Sequence, residues 1–195
     1  MIIAFLFNLG YLVDFPTSYV SSRGSYEIEF RVCDAGKVIG RIAVSPIDNF
    51  MFGISYGGKG IIGKGTPEYN SSPGVQAKYG TTFSKLSLAI GYDSELYGNL
   101  PLGVYGVLGG DLSWRLIPYV GLGYKDSLNL FCGMDAGLAP SASLCAEGYI
   151  KDKKFSVNTG IRWVFEQQVI IEFDFVDVFN KEPIRSIKFS YIGYI

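Results

Sequence analysis

Side chains alternate in chemical character along residues 154–175, the segment KFSVNTGIRWVFEQQVIIEFDF. Side chains of a β-strand point alternately to its two faces, so this pattern predicts two antiparallel strands joined by a turn at residues 166–168. The odd positions form an apolar, largely aromatic face, with Phe155, Ile161, Trp163, Phe165, Phe173 and Phe175. The even positions are mostly polar or charged, so the fold depends on which of the two faces lies inside.

Similar alternating segments recur along the chain, separated by stretches rich in Gly, Pro, Asn, Asp and Ser. This spacing is typical of an all-β sandwich or barrel. We predict about twelve strands, at residues 25–33, 37–45, 50–56, 74–80, 86–92, 102–114, 120–124, 128–135, 144–150, 154–165, 169–175 and 186–195. Bacterial single-chain membrane barrels have an even number of strands. The chain has no run of about 18 apolar residues, so no transmembrane helix is predicted.

The two faces of the predicted strands differ in side-chain size. The face opposite the aromatic one is rich in small residues, namely Gly53, Ser55, Ser87, Ala89, Gly91, Gly121, Gly123 and Gly133. Small residues suit a narrow lumen, and a bulky apolar face suits lipid. The sequence therefore predicts a closed, antiparallel, up-and-down transmembrane β-barrel as a single domain over residues 1–195. In the alternative, the apolar face is the core of a soluble β-barrel that binds a small apolar ligand.

The predicted links between strands sort by length. If both termini lie at one end of the barrel, the two longest links, residues 57–73 and 93–101, emerge at the opposite end. The links at the end of the termini are all short. Short periplasmic turns and longer outer loops are typical of a barrel in the outer membrane. We therefore expect residues 57–73 to be exposed and mobile at the cell surface.

Charged residues on the predicted lumen face form a candidate network, which consists of Glu27, Glu29, Arg31, Arg41, Arg162, Glu172, Asp174 and Lys188. A turn centred on Gln167 pairs Arg162 with Glu172, because directly opposed side chains on one face are about 4.5–5.5 Å apart. Closure between the last and first strands would bring the two patches together. The network then either stabilises a filled lumen or forms the gate or selectivity ring of a narrow pore. In the second case, Arg162→Ala changes conductance and alters folding little.

Composition argues against several classes of function. The chain contains no histidine, which rules out Ser-His-Asp and Cys-His catalytic arrangements, and we predict neither an enzyme nor a cofactor. The three cysteines, Cys33, Cys132 and Cys145, lack metal-binding spacing, and the parity of the last two argues against a disulfide. A formal net charge of -1 gives no electrostatic footprint for nucleic acid. The predicted partner is outer-membrane lipid.

The first ten residues, MIIAFLFNLG, are apolar but have neither a preceding positive charge nor a clear cleavage site. They fit either the remnant of a signal peptide or an N-terminal strand, and both interpretations remain open. A barrel of twelve strands leaves either a narrow channel or a lumen that the N-terminal segment plugs.

Several stretches of the sequence resemble the YjbH-like group of outer-membrane proteins, which is linked to exopolysaccharide. They are LVDFPTSYV, GSYEIEFRV, FMFGISYGGKGIIGKGTPEYNSSPGVQAKY, LAIGYDS, NLFCGMDAGL and NTGIRW, and the part from Ser55 to Gly74 is the most specific. The resemblance implies a β-barrel in the cell outer membrane, associated with exopolysaccharide export, with polysaccharide or export proteins as partners. It implies no catalytic residues. The short chain, Cys132 and Cys145 depart from the pattern of the group.

Overall fold

The computed structural model describes residues 10–94, 102–112, 115–151 and 154–195. Thirteen strands within these ranges form one antiparallel sheet. Their bounds are β1 Ser25–Cys33, β2 Lys37–Ile47, β3 Phe50–Lys59, β4 Glu68–Tyr69, β5 Gly74–Phe83, β6 Leu86–Asp93, β7 Gly103–Gly110, β8 Leu116–Tyr124, β9 Leu128–Ala139, β10 Ala142–Lys151, β11 Lys154–Phe165, β12 Val169–Val176 and β13 Ile184–Tyr194. A 3-10 turn, Asp34–Gly36, separates β1 from β2. The described ranges contain no helix that is long and apolar enough to cross a membrane.

Twelve of these strands close into an up-and-down barrel. Each barrel strand pairs with the next one along the chain, and β13 pairs with β1 to complete the circle. The two-residue strand β4 pairs only with the end of β3, in the loop that follows it. The structure therefore confirms the predicted closed antiparallel barrel of twelve strands.

Side chains alternate between the two faces of the barrel wall, as the sequence pattern predicts. The outward side chains of β11 and β12 are apolar and exposed, among them Trp163, Phe165, Phe173 and Phe175. Their inward neighbours are buried and mostly polar, among them Arg162, Glu172 and Asp174. The alternative of a soluble barrel placed the apolar face in the core, and it is wrong on this point because that face lies outside.

The register of the last strands follows the predicted turn. Val164 lies opposite Ile170, and Arg162 lies opposite Glu172, across β11 and β12. Lys188 on β13 then lies between Glu172 on β12 and Arg31 on β1. Closure of the barrel therefore brings the charges of the first and last strands together.

We call the two open ends of the barrel the terminal end and the loop end. At the terminal end, the main-chain N–H of Ile195 donates to the carbonyl of Gly24 (2.9 Å). The links at this end are short, such as residues 48–49 and 140–141, whereas residues 60–73 emerge at the loop end. This arrangement matches the predicted sorting of the links.

One predicted turn is wrong. The sequence RLIP at residues 115–118, between the sixth and seventh predicted strands, predicts a turn, but β8 begins at Leu116 and includes Pro118. Proline lacks an N–H and is tolerated in a strand where one neighbouring ladder is missing. Here β7 ends at Gly110, and its pairing with β8 does not extend as far as Pro118.

The three cysteines are free, and Cys132 and Cys145 lie on opposite faces, as their parity predicts. Cys132 is exposed on the outer face of β9, whereas Cys145 is buried in the lumen on β10. Two other predictions lie outside the described residues: the interpretation of residues 1–9, and Trp114 at the end of the sixth predicted strand.

Candidate functional site

Residues 10–18 form a hairpin inside the barrel, which we call the plug hairpin. The main-chain N–H of Leu12 donates to the carbonyl of Phe15 (2.8 Å), and that of Thr17 donates to the carbonyl of Gly10 (3.0 Å). Every residue of the hairpin is buried. The plug hairpin therefore occupies the lumen that a barrel of twelve strands can otherwise leave open.

The plug hairpin enters from the terminal end and points toward the loop end. The hydroxyl oxygen of Ser18 lies 2.5 Å from that of Ser87, the second residue of β6. At the tip of the hairpin, the carboxylate of Asp14 lies 2.5 Å from the guanidinium of Arg31, near the loop end of β1. The hairpin thus reaches from the terminal end deep into the lumen.

One side of the lumen is apolar. We call it the apolar wall, and it consists of the buried residues Ala89, Tyr105, Val107, Tyr119 and Phe131 on β6 to β9. Leu12, Val13 and Phe15 of the plug hairpin belong to the same hydrophobic cluster. The rings of Phe15 and Phe131 are stacked, with centroids 4.9 Å apart. This wall therefore holds the plug hairpin through its side chains.

Two glycines leave the space that the plug hairpin fills. A Cβ atom at Gly133 would lie 2.5 Å from Cδ1 of Leu12, and one at Gly109 would lie 2.2 Å from the hydroxyl oxygen of Ser18. Both distances are far below van der Waals contact, so a larger residue would displace the hairpin. Gly133 is among the small residues predicted on the lumen face, and the hairpin explains why a small residue is needed there.

The other side of the lumen is charged. The structure places all eight residues of the predicted network there, on the adjacent strands β11, β12, β13, β1 and β2, and buries each of them. We call these eight residues the charged wall. Within it, the guanidinium of Arg41 binds the carboxylates of both Glu27 and Glu29.

Ion pairs connect the last strands of the charged wall with the first. Arg162 binds Glu172 (2.5 Å), and Lys188 binds Glu172 and lies 3.7 Å from Asp174. Arg31 on β1 lies 3.8 Å from the same carboxylate of Asp174. Arg31 thus connects the patch on the first strands with the ion pairs of the last strands.

The charged wall also binds the main chain of the plug hairpin. Arg162 donates to the carbonyls of Tyr11 (3.2 Å) and Leu12 (3.3 Å). Lys188 donates to the carbonyls of Leu12 (2.9 Å) and Val13 (3.1 Å). These contacts satisfy buried carbonyl groups that would otherwise lose the hydrogen bonds they make in water.

Glu147 on β10 binds the tip of the plug hairpin from between the two walls. Its carboxylate accepts the main-chain N–H groups of Val13 (3.1 Å), Asp14 (2.8 Å) and Phe15 (3.1 Å). Successive N–H groups that converge on one anion form a nest, which is a favourable site for negative charge. Glu147 is not among the residues predicted for the charge network, although its parity places it on the lumen face.

Three further charged residues of the lumen were missed by the sequence analysis. Lys78 on β5 donates to two carbonyls of the plug hairpin, at 2.9 and 3.3 Å. Asp93 on β6 accepts the hydroxyl of Tyr11 (2.7 Å), and Asp135 on β9 pairs with Arg162 (2.8 Å). Parity would have placed all three on the lumen face, but their partners lie far away in the chain.

The plug hairpin leaves little space against the charged wall. A cavity of about 10 Å³ remains beside the charged wall, lined by Tyr11, Glu27, Glu29, Ile170, Glu172, Lys188 and Ser190. A volume of this size holds about one water molecule. Within the described ranges, no group of three His, Cys, Asp or Glu side chains is placed to hold a metal ion.

The fold is similar to that of known porins. A KdgM porin superposes with a TM-score of 0.61 at 14% identity, over 86% of this chain and 98% of that one. A KdgM porin in complex with disordered oligogalacturonate superposes with a TM-score of 0.62 at 13% identity, over 86% of this chain and 98% of that one. The NanC porin superposes with a TM-score of 0.55 at 10% identity, over 87% of this chain and 99% of that one. At these identities the likeness shows the fold: a twelve-strand barrel of the porin type.

Comparison with protein-family models gave no match, and neither did comparison with curated proteins. The resemblance to the YjbH-like group has no counterpart among the similar structures above, so its link to exopolysaccharide stays a prediction.

Proposed function

We propose that the protein is an outer-membrane barrel that forms a narrow pore, closed by its own plug hairpin. One observation carries the proposal: the hairpin fills a charged lumen, and the charged wall and Glu147 bind mainly its main-chain atoms. Such contacts can be exchanged for water when the hairpin withdraws, which would leave a polar channel. The proposal is a channel rather than an enzyme, in keeping with fold neighbours that are porins.

The outer surface supports a location in the outer membrane. Large apolar side chains cover the barrel on all sides, and more than a third of the surface of each is exposed. In water such a surface would promote aggregation, whereas in a bilayer it contacts the apolar lipid tails. Backbone groups are satisfied because the sheet is closed and has no free edge.

The lumen supports a pore rather than a purely structural barrel. Buried ion pairs add little stability over apolar residues of the same volume, because desolvation of the charges offsets their attraction. The charged wall is therefore costly if its role is only to fill the barrel. In addition, Ser55 and Gln76 are buried in the lumen with side-chain atoms that have no hydrogen-bond partner among the described residues. Water in an open lumen would satisfy them.

Exopolysaccharide export is the finer part of the proposal. Its support is the resemblance of the stretch from Ser55 to Gly74 to the YjbH-like group. A KdgM porin of similar fold is known in complex with disordered oligogalacturonate, and this supports a saccharide as the molecule that passes. Swelling of liposomes that contain the open protein, in neutral and in acidic oligosaccharides, tests whether a saccharide passes.

Substitution on the outer face tests the location in a membrane. Phe173→Arg places a charge on the lipid side of β12, where it should cost about 2–4 kcal/mol of folding free energy near the midplane. Phe179→Arg is the matched control, since Phe179 is exposed in the loop between β12 and β13. Folding into lipid vesicles is measured for both. Equal folding of the two variants would contradict the assignment of β12 to the membrane.

Proteolysis of intact cells tests the orientation. We expect cleavage near Lys59 or Lys64 at the loop end, and protection of the turn at residues 166–168 at the terminal end. Cleavage at the turn and not at the loop would invert the topology.

Conductance in a planar bilayer tests the pore. The full-length protein should be closed most of the time, and the double substitution Leu12→Ala, Phe15→Ala should open it, because the apolar wall then loses its main contacts with the hairpin. Phe179→Ala is the control for the loss of an aromatic side chain. A barrel that folds, shows a mobile hairpin by hydrogen exchange and still does not conduct would contradict the pore and favour a structural role.

A further inference from the structure

We infer that Glu147 has two roles, a latch in the closed state and the selectivity-determining carboxylate for cations in the open state. The inference rests on the proposed function, because it concerns the lumen after the plug hairpin has withdrawn. It assigns to the pore a preference for small cations and names the residue that sets it.

The partners of Glu147 distinguish it from the carboxylates of the charged wall. Its carboxylate accepts three main-chain N–H groups of the plug hairpin and the side-chain amide of Asn158 (2.7 Å). No basic side chain of the described residues forms an ion pair with it. When the hairpin withdraws, only Asn158 remains among these partners.

Most carboxylates elsewhere in the lumen keep a basic partner when the hairpin leaves, whereas Asp93 loses the hydroxyl of Tyr11 and lies within electrostatic reach of Lys78. Glu27 and Glu29 remain paired with Arg41, and Glu172 remains paired with Arg162 and Lys188. Such pairs are locally balanced and contribute little net field. Glu147 therefore changes more than they do when the lumen opens.

The numbers of buried acidic and basic side chains also favour a preference for cations. Eight acidic and five basic side chains are buried in the described residues. Asp14 is the only one of them in the plug hairpin, so withdrawal of the hairpin still leaves acidic residues in excess. Lys78 also loses its hairpin carbonyls, but Glu27 and Asp93 lie within electrostatic reach of its ammonium.

The position of Glu147 gives its charge a direct effect on passing ions. It lies on β10, between the apolar wall and the charged wall, and Asp135 on the neighbouring strand β9 is paired with Arg162. A carboxylate that faces a narrow lumen beside a wall of low dielectric focuses its field into the lumen and concentrates cations there.

The experiment measures the reversal potential of the opened protein in a gradient of potassium chloride. The full chain with Leu12→Ala and Phe15→Ala should prefer potassium over chloride. Adding Glu147→Gln should lower this permeability ratio about 25-fold, because one unit charge at about 4 Å in water raises the local concentration of potassium about fivefold and lowers that of chloride about fivefold. Glu166→Gln is the control, because it removes the same charge from an exposed turn outside the lumen. If Glu147→Gln does not fold, Glu147→Asp replaces it and should keep the preference for potassium.

The outcomes separate the inference from the proposed function. A conducting pore without preference for potassium, or an equal effect of Glu147→Gln and Glu166→Gln, overturns the inference and leaves the pore intact. Absence of conductance, with the hairpin shown to be mobile, overturns the proposed function and with it the inference. A potassium preference that Glu147→Gln reduces and Glu166→Gln does not supports both.

Discussion

The two walls of the lumen hold the same hairpin in different ways. The apolar wall contacts the side chains of Leu12, Val13 and Phe15, so it depends on their size and shape. The charged wall, through Arg162 and Lys188, contacts main-chain carbonyls that every residue possesses. The apolar wall therefore recognises the side chains of the hairpin, whereas Arg162 and Lys188 of the charged wall recognise its backbone conformation, and Arg31 adds an ion pair with the side chain of Asp14.

This difference indicates how the two walls contribute to closing. Apolar contacts with the hairpin are lost when it withdraws, and nothing in water replaces them. The hydrogen bonds of the charged wall are exchanged for hydrogen bonds to water, so their net contribution is small. We therefore expect the apolar wall to set how firmly the plug is held, and the charged wall to set the stability of the barrel and the character of the lumen.

The largest effect should come from breaking the charged wall. Arg162→Ala leaves the buried carboxylates of Glu172 and Asp135 without their arginine and should lower the free energy of unfolding by about 3–5 kcal/mol. Urea unfolding in lipid vesicles measures this loss. Arg185→Ala is the matched control, since Arg185 is exposed at the loop end and its ion pair is worth little.

This substitution also separates the two interpretations of the charge network. A large loss of stability means that the network stabilises the filled lumen. Unchanged stability together with altered conductance would mean that the network acts as a gate. The expectation that the charged wall sets the stability of the barrel would then be wrong.

A smaller effect should come from the apolar wall. Phe131→Leu removes the stacking on Phe15, which is worth about 0.5–1.5 kcal/mol. The barrel should stay folded, but the fraction of time that it is open should rise about two- to tenfold. Bilayer recordings measure this fraction, and Phe155→Leu on the outer face is the control. A loss of barrel stability as large as that of Arg162→Ala would remove the distinction between the walls.

The smallest effect should come from an ion pair outside both walls. The carboxylate of Asp34 accepts the main-chain N–H of Arg185 (2.9 Å) and its Nε–H (3.2 Å), and these hydrogen bonds lower the pKa of Asp34. A lowered pKa in the folded state means that the stabilisation is present above the ordinary value of about 3.9 and is lost as the pH falls through the folded value.

Hydrogen exchange of the Arg185 amide as a function of pH tests this. After correction for intrinsic rates, exchange of this amide should be slow above the ordinary pKa of Asp34. As the pH falls and the carboxyl becomes protonated, the amide should lose this protection. Asp34→Asn should remove this pH dependence. A pH dependence that survives the substitution would show that another group is responsible.

Local pattern and closure made most of the barrel predictable from sequence. Period-two alternation fixed which residues face outward, and the short turn around Gln167 fixed the register of Arg162 with Glu172. Closure then required the first and last strands to meet. Pro118 marks the limit of this reasoning, because its place in β8 depends on where the neighbouring strand β7 ends.

The plug hairpin was not predictable in the same way. A plug formed by the N-terminal segment is one of the two states predicted for the lumen, but nothing in the sequence pattern identifies residues 10–18 as a hairpin. Its contacts, such as Tyr11 with Asp93 and Asp14 with Arg31, join residues that are distant in sequence and are recognisable only after the barrel has closed. Glu147 was missed for a related reason, since its partners are main-chain groups that leave no mark in the sequence.

A disulfide between the hairpin and the wall tests most directly whether the hairpin fills the lumen. The hydroxyl oxygens of Ser18 and Ser87 are 2.5 Å apart, close to the length of about 2.0 Å of a disulfide bond. In a chain whose three cysteines are replaced by alanine, Ser18→Cys with Ser87→Cys should crosslink almost completely in the folded barrel, and Ser18→Cys with Ser190→Cys should not. The first crosslink should also hold the pore closed until it is reduced. Failure of the first pair to crosslink, with both engineered thiols open to a membrane-impermeant maleimide, would contradict a plugged lumen.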